Sequence, residues 1–356
     1  MIQAMNAEPQ PAAGLETPLH LRFRKTIRPL ASFLERHEKL LWWLHSSYAL
    51  LLGIFVMWLG SRNFVYLRIV IFYIAFIWAS SLFLPAMARN ARLSDRWRSR
   101  IRLAVNYFNK NFYQQLLFFV LPLYYSSTTF GSRNSLFVVL LAVSAVLSTM
   151  DIVYDRYVSV RWPLTALFFG FNLFACINVM LPVMWSVSNY QALWVSGALA
   201  LAGFGSILYE WSGWSKLKAR LALAAAAMVL FLLTFGLRSF IPPAPLLLAK
   251  AEFGRSVKEL TVIEPLEALP VPGQGKIAAL TAIKAPLGLQ ENVRHRWSLD
   301  GRLLYASPYY PLTGGRAEGF RIWTQLTWKE SFKGGKLVVD VETRGGQLIG
   351  RATLRN

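Results

Sequence analysis

The chain has 356 residues, 55% of them hydrophobic and 16% charged, with 38 Lys and Arg against 18 Asp and Glu for a net charge of +20. Soluble domains carry roughly 25% charged residues, so this balance points to a membrane protein and disfavours a nucleic-acid binder despite the basic excess. A disulfide-built secreted fold is excluded as well, because Cys176 has no partner cysteine in the chain.

Residues 1–37 contain no apolar run of the kind a cleavable signal peptide needs, and are expected to form a cytoplasmic tail. Within the tail Ile27, Leu30, Phe33 and Leu34 recur at helical spacing, which predicts a short amphipathic helix. Seven apolar runs follow, each near the roughly 20 residues that a spanning helix requires. They are Leu40 to Leu59, Ile69 to Met87, Phe112 to Phe130, Ser135 to Tyr154, Leu164 to Trp185, Ala192 to Tyr209 and Leu221 to Leu237. The tail and alternate connections between these runs carry eighteen Lys and Arg residues against three in the remaining connections, which places the N-terminus in the cytoplasm and residues after Leu237 outside it.

The second cytoplasmic connection carries Arg96, Arg98, Arg100 and Arg102 off the apolar face of an expected interfacial helix, where they would meet anionic headgroups. Asp151 and Asp155, four residues apart at the end of the fourth run, form a second candidate at the membrane interface. The middles of the runs hold no ionisable group, which disfavours a proton-coupled carrier but not a lipid flippase. Asn172 and Asn178, in the fifth run, are expected to bond across helices.

Ile241-Pro242-Pro243-Ala244-Pro245 reads as a stiff spacer, after which the hydrophobic period falls to two and paired glycines mark turns. Lys276–Lys284, Glu291–Ser298, Arg302–Tyr310, Phe320–Lys329, Lys336–Thr343 and Gln347–Arg355 are expected strands, with a weaker one at Leu260–Ile263. The fold class expected is thus an α-helical membrane bundle of seven spans followed by an all-β, antiparallel, sandwich-like soluble domain. Its parts are the tail (1–37), the seven-span transmembrane domain (38–240), a Pro-rich linker (241–250) and a periplasmic β-sandwich domain (251–356).

Alternation along Phe320–Lys329 sets Arg321, Trp323 and Gln325 on one face, a surface that suits a sugar ring or a peptide. Arg294 and Arg296, on a strand of their own, would add charge for an anionic glycan or headgroup, and His295 lies between them. No metal set, cofactor motif or catalytic residue is assigned: a single His does not make a metal site, and Ser298, Ser307 and Ser331 lie in no Gly-x-Ser-x-Gly elbow.

The series Pro242-Pro243-Ala244-Pro245, His295-Arg296-Trp297, Gly319-Phe320-Arg321, Gly335-Lys336 with Val339-Asp340-Val341, and Gly346-Gln347-Leu348-Ile349-Gly350 resembles a bacterial domain of unknown function at the C-terminal end of multi-span inner-membrane proteins. The resemblance covers about the last 110 residues, and Lys336-Leu337 stands where that family carries Lys-Trp. It implies a Gram-negative inner-membrane location and no catalytic residue. The expected function is binding of an envelope glycan, lipid headgroup or partner protein by the periplasmic domain, in contact with a bilayer containing anionic lipids and without nucleic acid. The alternatives are a membrane-embedded lipid transporter or lipid-modifying enzyme, and a structural subunit of an envelope complex.

Overall fold

The computed structural model describes residues 116–356 apart from 151, 152, 159, 212–214, 274, 333, 334 and 356, together with Leu44, Ser47, Tyr48, Leu50, Leu51 and Ile54. The chain divides into two units, Met1–Tyr48 and Ala49–Asn356, and every element named below belongs to the second.

Among the described residues five α-helices of ten residues or more lead into the strands: α1 (Leu116–Ser126), α2 (Ser135–Thr149), α3 (Trp162–Trp185), α4 (Asn189–Trp211) and α5 (Lys216–Leu237). The seven-span bundle expected from the sequence is not what the structure holds. Among the described residues one helix, over Pro163–Trp185, is long and apolar enough to cross a membrane, with a mean hydropathy of 1.9. The reason lies at the helix ends. α1 stops inside the third expected span because the Ser126 and Ser127 hydroxyls donate to the Leu123 carbonyl and the Thr128 hydroxyl donates to that of Tyr124, closing the helix at its C-terminus. α2 stops at Thr149 in the same way, with Ser148 donating to the Ala145 carbonyl and Thr149 to that of Val146. Its 15 residues rise about 22 Å, short of a hydrocarbon core of roughly 30 Å. α5 opens on Lys216, Lys218 and Arg220, three cations in its first turn and a half. The expected spans Leu40–Leu59 and Ile69–Met87 and the helix carrying Arg96 to Arg102 lie wholly or almost wholly outside the described residues.

α1, α2 and α3 share one apolar core. Leu117, Val120 and Tyr124 of α1 meet Phe137 and Leu141 of α2 and Val179 and Val183 of α3. Tyr124 donates to the Ala175 carbonyl at 2.8 Å and accepts from the Asn178 amide at 3.1 Å, so Asn178 does bond across helices, while both polar atoms of buried Asn172 have no hydrogen-bond partner.

Nine strands follow, every ladder antiparallel. β1 (Leu247–Lys258), β2 (Thr261–Pro265), β3 (Lys276–Lys284) and β7 (Phe320–Thr327) form one sheet in the order β2-β1-β3-β7. β4 (Gln290–Leu299), β5 (Arg302–Ala306), β8 (Lys336–Thr343) and β9 (Leu348–Arg355) form the other in the order β5-β4-β8-β9, with β6 (Tyr310–Thr313) also paired to β4. The sheets pack face to face. Phe253, Ile277 and Ala279 from the first meet Trp297, Leu337, Val339 and Leu354 from the second, as inward alternation along each strand requires.

Two expectations shift in detail. The expected strand Arg302–Tyr310 is two, β5 and β6, because Ser307 leaves the ladder and its amide donates to the His295 carbonyl. The Pro-rich segment is not an exposed spacer: Pro242, Pro243, Ala244, Pro245 and Leu246 are buried, and β1 starts immediately afterwards. Ala244 belongs to the helical core and Leu246 to the core of the sandwich, so this segment joins the two cores directly.

Candidate functional site

The outward face of the β2-β1-β3-β7 sheet is set by register. Trp323 on β7 lies opposite Leu280 on β3, which lies opposite Glu252 on β1. The next row joins Arg321, Ala282 and Lys250, and the row on the other side joins Gln325, Ala278 and Gly254. Trp323 is 43% exposed, whereas Leu280 beside it is buried, so the indole stands on an apolar floor with one side open. Ile322 and Thr324, its chain neighbours, point inward and are buried, which fixes the strand and therefore the direction of the Trp.

A polar recess lies on either side of that row. One, of about 110 Å³, is lined by Lys250, Glu252, Leu260, Thr261, Leu280, Ala282 and Arg321. The other is shallower and is lined by Arg255, Ser256, Glu264, Gly275, Lys276 and Gln325. Gln325 is held by donating to the Arg255 carbonyl at 3.2 Å. Lys250 pairs with Glu252 at 2.8 Å, and Arg321 pairs with Glu318. These pairs leave the face amphipathic, with donors and acceptors on both sides of an indole, and not uniformly cationic.

The remaining residues singled out in the sequence are elsewhere. Arg294 and Arg296 are on β4 and face outward from the opposite sheet, so the sandwich separates them from Trp323. Arg294 pairs with Glu342 at 2.5 Å and stacks over the Tyr309 ring at 4.7 Å, while Arg351 pairs with Asp340 at 2.6 Å. Arg296 lies opposite Asp340 in the ladder. This alternation of charge across β4, β8 and β9 is a structural ladder of cross-strand pairs, and the Asp340 carboxylate holds the Arg351 guanidinium above its usual range.

His295 is fully buried between the sheets. Its Nε2 is 2.8 Å from the Thr281 hydroxyl on β3, its Nδ1 is 2.7 Å from the Thr324 hydroxyl on β7, and Trp297 Nε1–H donates to that same Thr324 oxygen at 2.8 Å. All three contacts are satisfied by a neutral ring in which Thr324 donates to Nδ1 and Nε2–H donates to Thr281. Burial pushes its pKa down to about 4. Asp151 lies outside the described residues, and Asp155 falls within a π-helical turn, Tyr154–Val158. Among the described residues no three His, Cys, Asp or Glu side chains come together as a metal set.

A second polar cluster, which the sequence did not single out, joins the helices to the sandwich. The Glu291 carboxylate accepts from the backbone N–H of Asn189, the first residue of α4, at 2.8 Å and from its neighbour Asn292 at 2.9 Å. The Asn134 amide donates to the Leu348 carbonyl at 3.2 Å, and buried Gln347 donates to the Ile241 carbonyl at 3.0 Å. Burial raises the Glu291 carboxyl above the usual carboxylate range, and its two N–H partners oppose that shift. Alternation alone could not reveal this role, because it depends on a helix more than a hundred positions away in the chain. Replacing Glu291 by Ala is expected to cost about 1–3 kcal/mol by leaving the Asn189 amide without an acceptor. It should also speed proteolysis near Ile241, measured on the full chain; an unchanged rate would show that the carboxylate does not hold the junction.

The family comparison covers the helical side of this junction, with Asn134, Asn189 and Ile241, and not Glu291, Gln347 or Leu348. The model of a family of unknown function, DUF5924, matches residues 20–268. The chain belongs to that family. The matched segment runs through the helices and β2 and ends before β3, so the strands on which the C-terminal resemblance rests lie outside it. No curated protein and no solved structure matches the chain.

Proposed function

We propose that this DUF5924 member is an inner-membrane protein whose β-sandwich, on the periplasmic side, binds a saccharide component of the cell envelope through the Trp323 face. The observation that carries the reading is the open indole of Trp323 on its Leu280 floor between two polar recesses. An aromatic ring standing free in a sheet face offers a flat apolar surface to the C–H face of a sugar, while flanking donors and acceptors take the hydroxyls. Arg321, Lys250 and Lys276 at the edges suit a saccharide bearing carboxylate or phosphate groups, with the paired Glu252 and Glu318 limiting non-specific attraction.

Membrane association is supported by the Pro163–Trp185 helix and by the apolar side chains left exposed on the helices, among them Leu136, Val139, Leu167, Met228 and Phe231. Contiguous apolar surface of this kind is rare on soluble monomers and marks a partner or a lipid phase. The periplasmic side is supported by the concentration of positive charge in residues 1–238, at +14 of the total +20.

The experiment is a binding panel with the full chain in detergent, using lipopolysaccharide core oligosaccharide, muropeptides and neutral glucans. Binding of an acidic saccharide, weakened by salt and by Arg321→Gln, is the expected result. Retention of no saccharide would overturn the reading.

A further inference from the structure

A cavity of about 570 Å³ opens among α2, α3, α4 and α5, and every side chain that lines it is apolar. Phe137 and Leu140 of α2, Phe171 of α3, Phe204 of α4, Val229 of α5 and Phe240 in the turn after α5 form most of its wall. The room comes from small residues at the helix contacts: Ala166, Gly170, Ala200 and Ala226 stand where larger side chains would close the space. Its volume falls in the range of small-molecule sites, roughly 300–1,000 Å³. A cavity with no polar group gives water no partner and favours a hydrocarbon.

One end of this groove is different. Arg133, exposed at the residue before the N-cap of α2, stands over the Phe240 ring at 5.9 Å, and Arg238 follows Leu237 on the same turn as Phe240. The Arg133 guanidinium therefore lies at the end of the groove that Phe240 closes, while the Arg238 side chain lies against Gly346 of the β-sandwich, and no Asp or Glu lines the groove. An apolar slot with a cation at one end is complementary to an amphiphile that has an acyl chain and an anionic head.

We infer that this groove holds the acyl chain of an anionic phospholipid, with the phosphate at Arg133. The site is separate from the Trp323 face and lies in the part of the chain covered by the family model, so it stands or falls without the saccharide reading.

The test uses the full chain in phosphatidylcholine vesicles containing a minor fraction of phosphatidylglycerol with a diazirine on its acyl chain. A parallel sample carries the label on phosphatidylcholine, and adducts are mapped by mass spectrometry after irradiation. Expected are adducts on Phe171, Phe204 and Val229 several-fold above those on Leu221 and Leu232, which are exposed but do not line the groove. The anionic label should exceed the zwitterionic one. Arg133→Glu is expected to remove that difference, and Ala226→Phe to cut groove adducts several-fold while sparing Leu232. Should Ala226→Phe fail to fold, Val229→Trp at the exposed rim provides the same block. Equal labelling of lining and non-lining residues, no preference for the anionic lipid, or cross-links to a second copy of the chain in place of lipid would each overturn the inference.

Discussion

As the pH falls from 6.5 towards 4 the protein is expected to lose about 3 kcal/mol of folding stability through His295 alone. Inside the sandwich the ring is neutral, and burial lowers its pKa to about 4 from an ordinary value of 6.5. The unfolded chain therefore takes up a proton across this window that the folded chain refuses, so each step down in pH favours unfolding. Below the folded pKa both states are charged and the loss levels off. His295→Gln keeps a polar partner for Thr281 and Thr324 and removes the titration, so over this interval the wild-type urea midpoint should fall relative to that of the variant. His295→Ala is expected to cost more, roughly 3–5 kcal/mol, because it leaves a cavity beside Trp297 and takes the partner from two buried hydroxyls. A wild-type midpoint that does not fall relative to that of His295→Gln between pH 6.5 and 4 would show that the node is not closed to protons.

Trp323→Ala is the second large effect, and it falls on binding. The indole is 43% exposed and its neighbours Ile322 and Thr324 hold the strand, so stability should change by no more than about 0.5 kcal/mol. Loss of a central aromatic contact in a binding face typically costs at least about 2 kcal/mol, or roughly thirtyfold in affinity. Trp323→Phe, which keeps a ring over Leu280, should lose less. The opposite face serves as the control. Arg296→Gln, in the same cross-strand row as the Asp340–Arg351 pair on the other sheet, should leave saccharide affinity unchanged.

What could be read from the sequence was whatever depends on neighbours along one strand. Period-two alternation located β3, β8 and the inward face of β7, and it put Trp323, Arg321 and Gln325 on one surface, as the register shows. Alternation carries no information on which strands share a sheet, so Arg294 and Arg296 could not be separated from Trp323 until the order β2-β1-β3-β7 was known. β1 escaped notice because the run from Leu247 to Lys258 follows three prolines and carries Lys250, Glu252, Arg255 and Lys258, which obscure its period. The spans were overcounted for a different reason. Composition marks an apolar run but not where Ser, Thr or Met150 ends the helix, and α1 and α2 are ended by their own hydroxyls donating back to backbone carbonyls. The junction at Glu291 and the groove closed by Phe240 both join segments far apart in the chain, and no local pattern signals either of them.

Saccharide binding at the Trp323 face is the function proposed for the sandwich. Its most direct test is calorimetric titration of the full chain with acidic envelope oligosaccharides, wild type against Trp323→Ala. Binding by the wild type, weakened about thirtyfold in the variant at an unchanged unfolding midpoint, is the predicted result. Equal affinities, or no binding by the wild type, would contradict it.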